Sequence, residues 1–196
     1  MKPPPLANGT HGYGLVSILL HWVMAALLLG LFALGLYMVG LDYTHPWSRT
    51  APDIHRGLGV LTFLLLGVRW GWRLANPLPA VEGRPWERRA APWVHRLFYL
   101  LVAAVAVSGW LISTADGRSV SVFGWFELPA VFHGYENQED TAGRVHRWLA
   151  WALVALAGLH TAAALKHHFI DRDATLRRML VPGGAAASPS TTTRGD

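Results

Sequence analysis

The run LVSILLHWVMAALLLGLFALGLYMV, residues 15–39, decides the fold of this chain. It contains no Asp, Glu, Lys or Arg. As an α-helix it would be about 37 Å long at 1.5 Å per residue, which is enough to cross the apolar part of a bilayer with some tilt. The run also exceeds the apolar region of about 7 to 15 residues in a secretory signal, so we expect a retained membrane helix.

Three further apolar runs have the length of a membrane span. The predicted helices cover about residues 15–39, 54–74, 93–114 and 143–169, and they form one transmembrane domain over residues 15–181. In residues 171–181, Leu176, Met179 and Leu180 could face lipid while three arginines (172, 177 and 178) face water, which predicts a short interfacial helix. Residues 1–14 are expected to form an N-terminal tail and residues 182–196, rich in Gly, Ala, Ser and Thr, a disordered tail. The fold class is therefore all-α, an integral membrane four-helix up-down bundle.

Composition supports membrane lipid as the surroundings of this chain. Of its 196 residues, 52% are hydrophobic and only 15% are charged, which is too apolar for an ordinary soluble domain. The chain has no cysteine. That excludes disulfides, cysteine-ligated clusters and covalently attached c-type haem, so any metal would be held by histidine or carboxylate.

The distribution of charge predicts the orientation. Twelve of the 17 basic side chains would lie on the side of the two termini, and basic loops remain in the cytoplasm. Both termini are therefore expected to be cytoplasmic, with the 115–142 loop in the periplasm and the chain in the bacterial inner membrane. Because the positive net charge is explained by topology, nucleic-acid binding is not expected. The five basic residues of the periplasmic side are Arg49, Arg56, Arg118, Arg144 and Arg147.

Four histidines lie in or at the edges of the apolar runs, where an ionisable side chain is costly unless it has a function. In an up-down bundle, His21 and His160 share one level, and His55 and His146 share the other. His146 and His160 are 14 residues apart, which keeps them on nearly one helix face and about 21 Å apart along the axis. We therefore predict two haems, each held by a pair of imidazoles, and one-electron chemistry.

One alternative at the first level is His95, which begins the third span on the same side as His21. Its ring could replace His21 as a ligand or line the site. Small residues such as Gly57, Gly59, Gly143 and Gly158 would leave room for a porphyrin, although close helix packing explains small residues equally well.

At this point the chain resembles the bacterial cytochrome b561 family, close to its small four-helix di-haem members that include superoxide oxidase. The resemblance covers about residues 13–180. The matching stretches are Leu20-His21-Trp22, Ile54-His55-Arg56-Gly57, Arg69 with Arg73, His95 to Tyr99, Gly117-Arg118, Phe123-Gly124, Leu128-Pro129, His146, Gly158-Leu159-His160, and residues 162–168 leading into 173–179.

The resemblance implies two haem b groups on His21, His55, His146 and His160. It also implies a ubiquinone site at the cytoplasmic end near His95 and His167, where a histidine suits proton delivery to a quinone. By the same resemblance the reaction would be superoxide:ubiquinone oxidoreduction, with superoxide oxidised at the periplasmic face. No catalytic residue is assigned from the sequence.

Two other functions remain open at the level of sequence. A cytochrome b redox subunit would exchange electrons between quinone and a periplasmic dehydrogenase, hydrogenase or soluble cytochrome. The periplasmic face carries seven carboxylates against five arginines, which suits a basic partner and weighs against steering of an anion unless the arginines cluster. A transporter or proton channel with a histidine relay is the third class, and it would bind no haem.

Overall fold

The computed structural model describes residues 4–183, and four long helices account for most of them. The elements are α1 (Leu15–Met38), α2 (Thr50–Ala75), α3 (Pro85–Ser113), β1 (Val120–Val122), β2 (Phe126–Leu128) and α4 (Gln138–Lys166). A π turn (His167–Asp171) and a 3-10 turn (Arg177–Met179) follow.

Within residues 4–183, four helices are long and apolar enough to cross a membrane, the last of them counted through the π turn to Asp171. This confirms the predicted all-helical, four-span class. The side of the membrane on which the termini lie stays a prediction.

Neighbouring helices pack antiparallel, as contacts between their ends show. Gly35, late in α1, faces His55, early in α2, and His95, early in α3, lies beside His160, late in α4. Each helix contributes one residue to the buried apolar cluster: Met24, Leu66, Val102 and Leu153. Because Leu153 is midway between His146 and His160 along α4, this cluster separates two histidine levels.

Three helices begin earlier than the sequence predicted. The α2 helix begins at Thr50 rather than 54, because Pro52 falls in its first turn, where a missing N–H costs no helical hydrogen bond. The α3 helix begins at Pro85 rather than 93. There the backbone N–H of Arg84 donates to Oε2 of Glu87 (2.6 Å), which caps the helix, and α3 continues through Pro92.

The α4 helix begins at Gln138 rather than 143. Its first turn contains Glu139 and Asp140, whose negative charge is favourable at a helix N-terminus. The predicted start at residue 143 is too late, because these polar turns precede the apolar run from which the helix was predicted.

The predicted interfacial helix over 171–181 is wrong. Within residues 172–183, only the 3-10 turn over Arg177–Met179 is helical. Arg172 adopts a left-handed conformation (φ 56°), and the backbone N–H groups of Ala174 and Thr175 donate to Glu82 and Asp173. Because these side-chain acceptors satisfy the backbone donors, a helix is not needed there.

The chain before α1 is anchored rather than free over residues 5–14. Asn8 accepts hydrogen bonds from Gly14 N–H (3.0 Å) and the Ser17 hydroxyl (2.6 Å), and it donates to the carbonyl of Pro77 (2.9 Å). The N–H of Gly183 donates to the carbonyl of Tyr13 (2.8 Å). The predicted disordered tail lies outside the described residues, except for Pro182 and Gly183.

A β-hairpin that the sequence did not predict lies in the 115–142 loop. Val120 pairs with Leu128 and Val122 with Phe126. Phe123 and Gly124 both have positive φ (53° and 73°), as a tight hairpin turn requires. The Phe123 ring covers Gly57, where an added Cβ would come within 2.7 Å of the ring.

Candidate functional site

A cavity of about 2150 Å³ runs through the bundle between the four helices. Five half-buried histidines line it: His21, His55, His95, His146 and His160. The volume exceeds the roughly 300–1,000 Å³ of a pocket for one small ligand, so the cavity has the capacity for more than one prosthetic group.

At one level of the cavity, His55 and His146 face each other with ring centroids 6.2 Å apart. Nδ1 of His146 lies 2.9 Å from the carbonyl oxygen of Val105, to which it can only donate. A proton on Nδ1 leaves Nε2 free as an acceptor, and this is the arrangement that ligating histidines commonly use.

Each ring of this pair lies against a glycine of a neighbouring helix. An added Cβ at Gly35 would lie 3.3 Å from Cε1 of His55, and one at Gly109 would lie 3.1 Å from Cε1 of His146. Any larger residue would therefore displace the imidazole. The sequence reasoning missed both glycines, because nothing local to Gly35 or Gly109 indicates which ring approaches it.

At the other level, His21 and His160 have ring centroids 6.3 Å apart. The ring of His95 is also beside His160, at 5.8 Å, and Phe98 is 5.4 Å away. The guanidinium of Arg69 lies 3.3 Å from Nδ1 of His21 and can only donate there. The structure thus brings together the four histidines predicted as two pairs, and it places His95 with the second pair.

The distances between the ring centroids can be compared with the distance expected when a metal is bound between two imidazoles. A metal–imidazole bond is about 2.0 Å, and the nitrogen lies about 1.1 Å from its ring centroid, so a metal between two imidazoles implies centroids about 6.2 Å apart. The His55/His146 and His21/His160 separations match this value. The His95/His160 separation of 5.8 Å is shorter.

The His21 end of the cavity also collects polar and aromatic side chains. Tyr13 and Tyr99 line it, and the Arg73 guanidinium lies 6.0 Å from the centre of the Tyr99 ring. Burial raises the pKa of Tyr13, although Arg73 and Arg69 act in the opposite direction. The tyrosine hydroxyl is therefore protonated at neutral pH and is available as a hydrogen-bond donor.

His167 is placed differently from the other predicted site residues, because it does not line the cavity. It is buried beside Gly83, and its Nδ1 lies 2.5 Å from a carboxylate oxygen of Asp173 and 3.3 Å from one of Asp171. Lys166 forms ion pairs with Asp171 (2.6 Å) and with Glu87. His167 therefore belongs to a charged network behind the cavity wall.

Four of the five predicted periplasmic arginines line the opposite mouth of the cavity: Arg56, Arg118, Arg144 and Arg147. Arg56 is paired with Asp53, and Arg118 with Asp116. Arg144 donates to the Thr141 hydroxyl (3.1 Å). Among residues 4–183, neither Arg144 nor Arg147 forms an ion pair, and Glu139 and Asp140 line the same cavity.

The other predicted glycines have varied surroundings. Gly57 accommodates Phe123, whereas an added Cβ at Gly59, Gly143 or Gly158 would meet nothing within 4 Å in the described part of the chain. The same is true of Gly67 and Gly71 at GxxxG spacing. Those two glycines therefore do not serve close packing between helices of this chain.

Facing histidine pairs at two levels of a four-helix membrane bundle, in a chain without cysteine, define the class of b-type membrane cytochromes. Residues 12–182 match the family model described as prokaryotic cytochrome b561. The chain belongs to this family, and it is accordingly a multi-pass electron-transfer protein of the bacterial inner membrane. Membership implies haem b as a cofactor, surrounding lipid and redox partners.

Individual relatives agree with the family assignment. The chain is 46% identical to "Cytochrome b561 homolog 2" of Escherichia coli (strain K12) over 175 residues, which is 88% of this chain and 93% of the relative. It is 27% identical to "Probable superoxide oxidase CybB" of Yersinia pestis over 176 residues, 86% of this chain and 95% of the relative. "Cytochrome b561 homolog 1" of Escherichia coli (strain K12) is 28% identical over 132 residues, 65% of this chain and 73% of that protein.

Proposed function

We propose that this protein binds two b haems and transfers electrons from periplasmic superoxide to ubiquinone. The observation that carries the proposal is the presence of two facing histidine pairs at two levels of one cavity. The relative of Yersinia pestis named as a probable superoxide oxidase supports the choice of donor.

The proposed haem ligands are His55 with His146 and His21 with His160. Both separations suit a metal between two imidazoles, and His146 has the Nδ1–H tautomer that leaves Nε2 free. His55 fits the same role, because its Nδ1 is buried and has no hydrogen-bond partner among the described residues. When bound, the two haems supply one-electron transfer between the two faces of the membrane.

His95 is better placed to line the quinone site than to replace His21. The His95/His160 separation of 5.8 Å fits a metal between two rings less well than the His21/His160 separation of 6.3 Å, and His95 lies at the cavity end that also contains Tyr13 and Tyr99. A quinone carbonyl needs a hydrogen-bond donor, and these three side chains can provide one.

The charged mouth of the cavity near His146 suits an anionic donor. Arg144 and Arg147 are exposed, and within residues 4–183 they form no ion pair, unlike Arg56 and Arg118. An unpaired positive charge raises the local concentration of superoxide. We place this mouth in the periplasm and both termini in the cytoplasm, because most basic residues lie on the side of the termini.

The test begins with the haem content of the purified, detergent-solubilised protein, by extraction and by the reduced-minus-oxidised spectrum. Two b haems per chain are expected. Superoxide from xanthine oxidase should then form ubiquinol from ubiquinone-1 without loss when catalase is added, and superoxide dismutase should abolish it. Quinol formation that persists with the dismutase would contradict superoxide as the donor.

A second candidate is a redox subunit that exchanges electrons between quinone and a periplasmic protein. It is favoured by the exposed aromatic side chains of the 115–142 loop, such as Trp125 (72% exposed) and Tyr135 (66% exposed). Aromatic residues are common in the cores of protein interfaces. This candidate predicts haem reduction by a soluble periplasmic donor and none by superoxide.

A further inference from the structure

The network around His167 extends to the cavity through the segment after the π turn. Asp173 lies 2.5 Å from Nδ1 of His167, and it accepts a hydrogen bond from the backbone N–H of Thr175 (2.8 Å). Thr175 lines the cavity, whereas His167 and Asp173 do not. The three residues are therefore connected in order from a buried imidazole to the cavity wall.

We propose that His167, Asp173 and Thr175 form a proton relay that delivers protons to ubiquinone in the cavity. The proposal rests on the quinone-reducing function proposed above and adds a role for His167 and Asp173, which do not line the cavity. Thr175 is the residue through which the relay reaches the cavity.

The relay would supply the protons that quinone reduction consumes. Ubiquinone becomes ubiquinol by taking two electrons, which the proposed function supplies, and two protons, which must come from water. Nε2 of His167 takes a proton from water while the Nδ1–H passes its proton to a carboxylate oxygen of Asp173. Before the second proton is delivered, the ring regains the Nδ1–H form by releasing the Nε2 proton to water and taking a proton at Nδ1. Asp173 passes its proton to the hydroxyl oxygen of Thr175, which releases its own hydroxyl proton to the quinone oxygen.

The charged groups around His167 favour proton transfer from His167 to Asp173. His167 is faced by Glu87 of α3, Lys166 at the end of α4, Asp171 of the π turn and Asp173 of the following segment. Lys166 is paired with both Glu87 and Asp171. Asp173 is therefore the carboxylate near His167 that forms no ion pair with Lys166.

The state of Asp173 at neutral pH follows from its own contacts. Although burial acts to raise its pKa, hydrogen bonds from Thr175 and His167 lower the pKa of Asp173 below its usual value. The side chain is therefore ionised at pH 7 and ready to accept a proton.

The experiment uses the haem-loaded protein reduced with dithionite, freed of excess reductant and mixed with ubiquinone-1 in a stopped-flow instrument. Haem oxidation is followed by absorbance, and proton uptake by a pH dye in weakly buffered solution. The variants are Asp173→Asn, Thr175→Val and Thr175→Ser. Glu82→Gln is the matched control, because Glu82 holds the same segment through the N–H of Ala174 but does not contact His167.

Asp173→Asn and Thr175→Val are expected to slow proton uptake and haem oxidation together by at least about ten-fold. The residual rate should fall as pH rises, because free protons then become the donor. Thr175→Ser retains a hydroxyl and should restore the rate. Binding of ubiquinone-1, measured by quenching of tryptophan fluorescence, should be unchanged in all variants.

Equal slowing in Glu82→Gln, or a normal rate and pH profile in both Asp173→Asn and Thr175→Val, would overturn the relay. Weakened quinone binding in Asp173→Asn would overturn it as well, because it would assign Asp173 to binding. If the unmodified protein is not oxidised by ubiquinone-1, the proposed quinone function fails, and the relay fails with it.

Discussion

The two ends of the cavity hold their histidines by different means. At one end, His55 and His146 each lie against a glycine, and a backbone carbonyl fixes the proton on Nδ1 of His146. At the other end, His160 is surrounded by three rings, and a guanidinium approaches Nδ1 of His21.

This difference has a chemical consequence. A neutral imidazole whose Nδ1 accepts a hydrogen bond carries its proton on Nε2, so His21 must change tautomer or give up the Arg69 contact before it ligates through Nε2. His146 needs neither change. We therefore expect the His55/His146 end to be rigid and specific, and the His21/His160 end to tolerate substitution better.

The largest effect is expected from replacing ligands at the two ends. His146→Ala should remove one of the two proposed haems completely, because among residues 4–183 no other histidine ring lies beside His55. His21→Ala should remove only part of the other haem, because His95 also lies beside His160. The measurement is haem per chain by extraction and difference spectrum.

The control for these two variants is His133→Ala, which changes an exposed histidine of the 115–142 loop. It should keep both haems. Retention of both haems in His146→Ala would show that the His55/His146 pairing is wrong.

Gly109→Ala is expected to have the next largest effect. The added Cβ would lie 3.1 Å from Cε1 and 3.3 Å from Nδ1 of His146, so the ring must shift away from the Val105 carbonyl. Overpacking of this kind costs about 1–3 kcal/mol. Thermal unfolding in detergent and haem occupancy should both decline.

Gly67→Ala provides the comparison, since an added Cβ there meets nothing within 4 Å in the described chain. It should be neutral or slightly stabilising, because alanine has the higher helix propensity. If the two substitutions behaved alike, the close approach of His146 to Gly109 would not be important for binding.

A smaller effect is expected at the mouth near His146. The double variant Arg144→Gln, Arg147→Gln should lower the rate of superoxide-driven quinol formation by about 3- to 10-fold at low ionic strength, and less at high salt, because screening already weakens the attraction. Arg118→Gln should change the rate little, since Asp116 neutralises Arg118. Equal rates for the double variant and the unmodified protein would remove the steering argument.

The smallest effect is expected at the opposite end. Arg69→Gln removes a positive charge beside His21, which should lower the midpoint potential of one haem by on the order of tens of millivolts. The other haem should be unaffected. A spectroscopic redox titration measures both, with Arg96→Gln as control because that guanidinium stacks on Trp93 instead. A shift of both haems would argue for a global change.

Much of the site followed from the spacing of apolar runs and histidines. A helix of known rise fixes the depth of each histidine, and alternation of direction then decides which ones share a level; the structure has both pairs at the predicted levels. The helix ends were harder to predict from the sequence. Pro85 with Glu87, and the acidic turn after Gln138, extend α3 and α4 beyond their apolar runs.

The sequence alone determined the four spans, the family and the histidines that share each level, because burial in lipid requires long apolar helices and leaves few positions for ionisable groups. Tertiary structure alone decided which glycine lies behind each ring, that Phe123 covers Gly57, and that His167 joins Asp173 instead of lining the cavity. These contacts join residues on different elements or across a change of chain direction. No local pattern encodes them, since they depend on how the helices and turns pack.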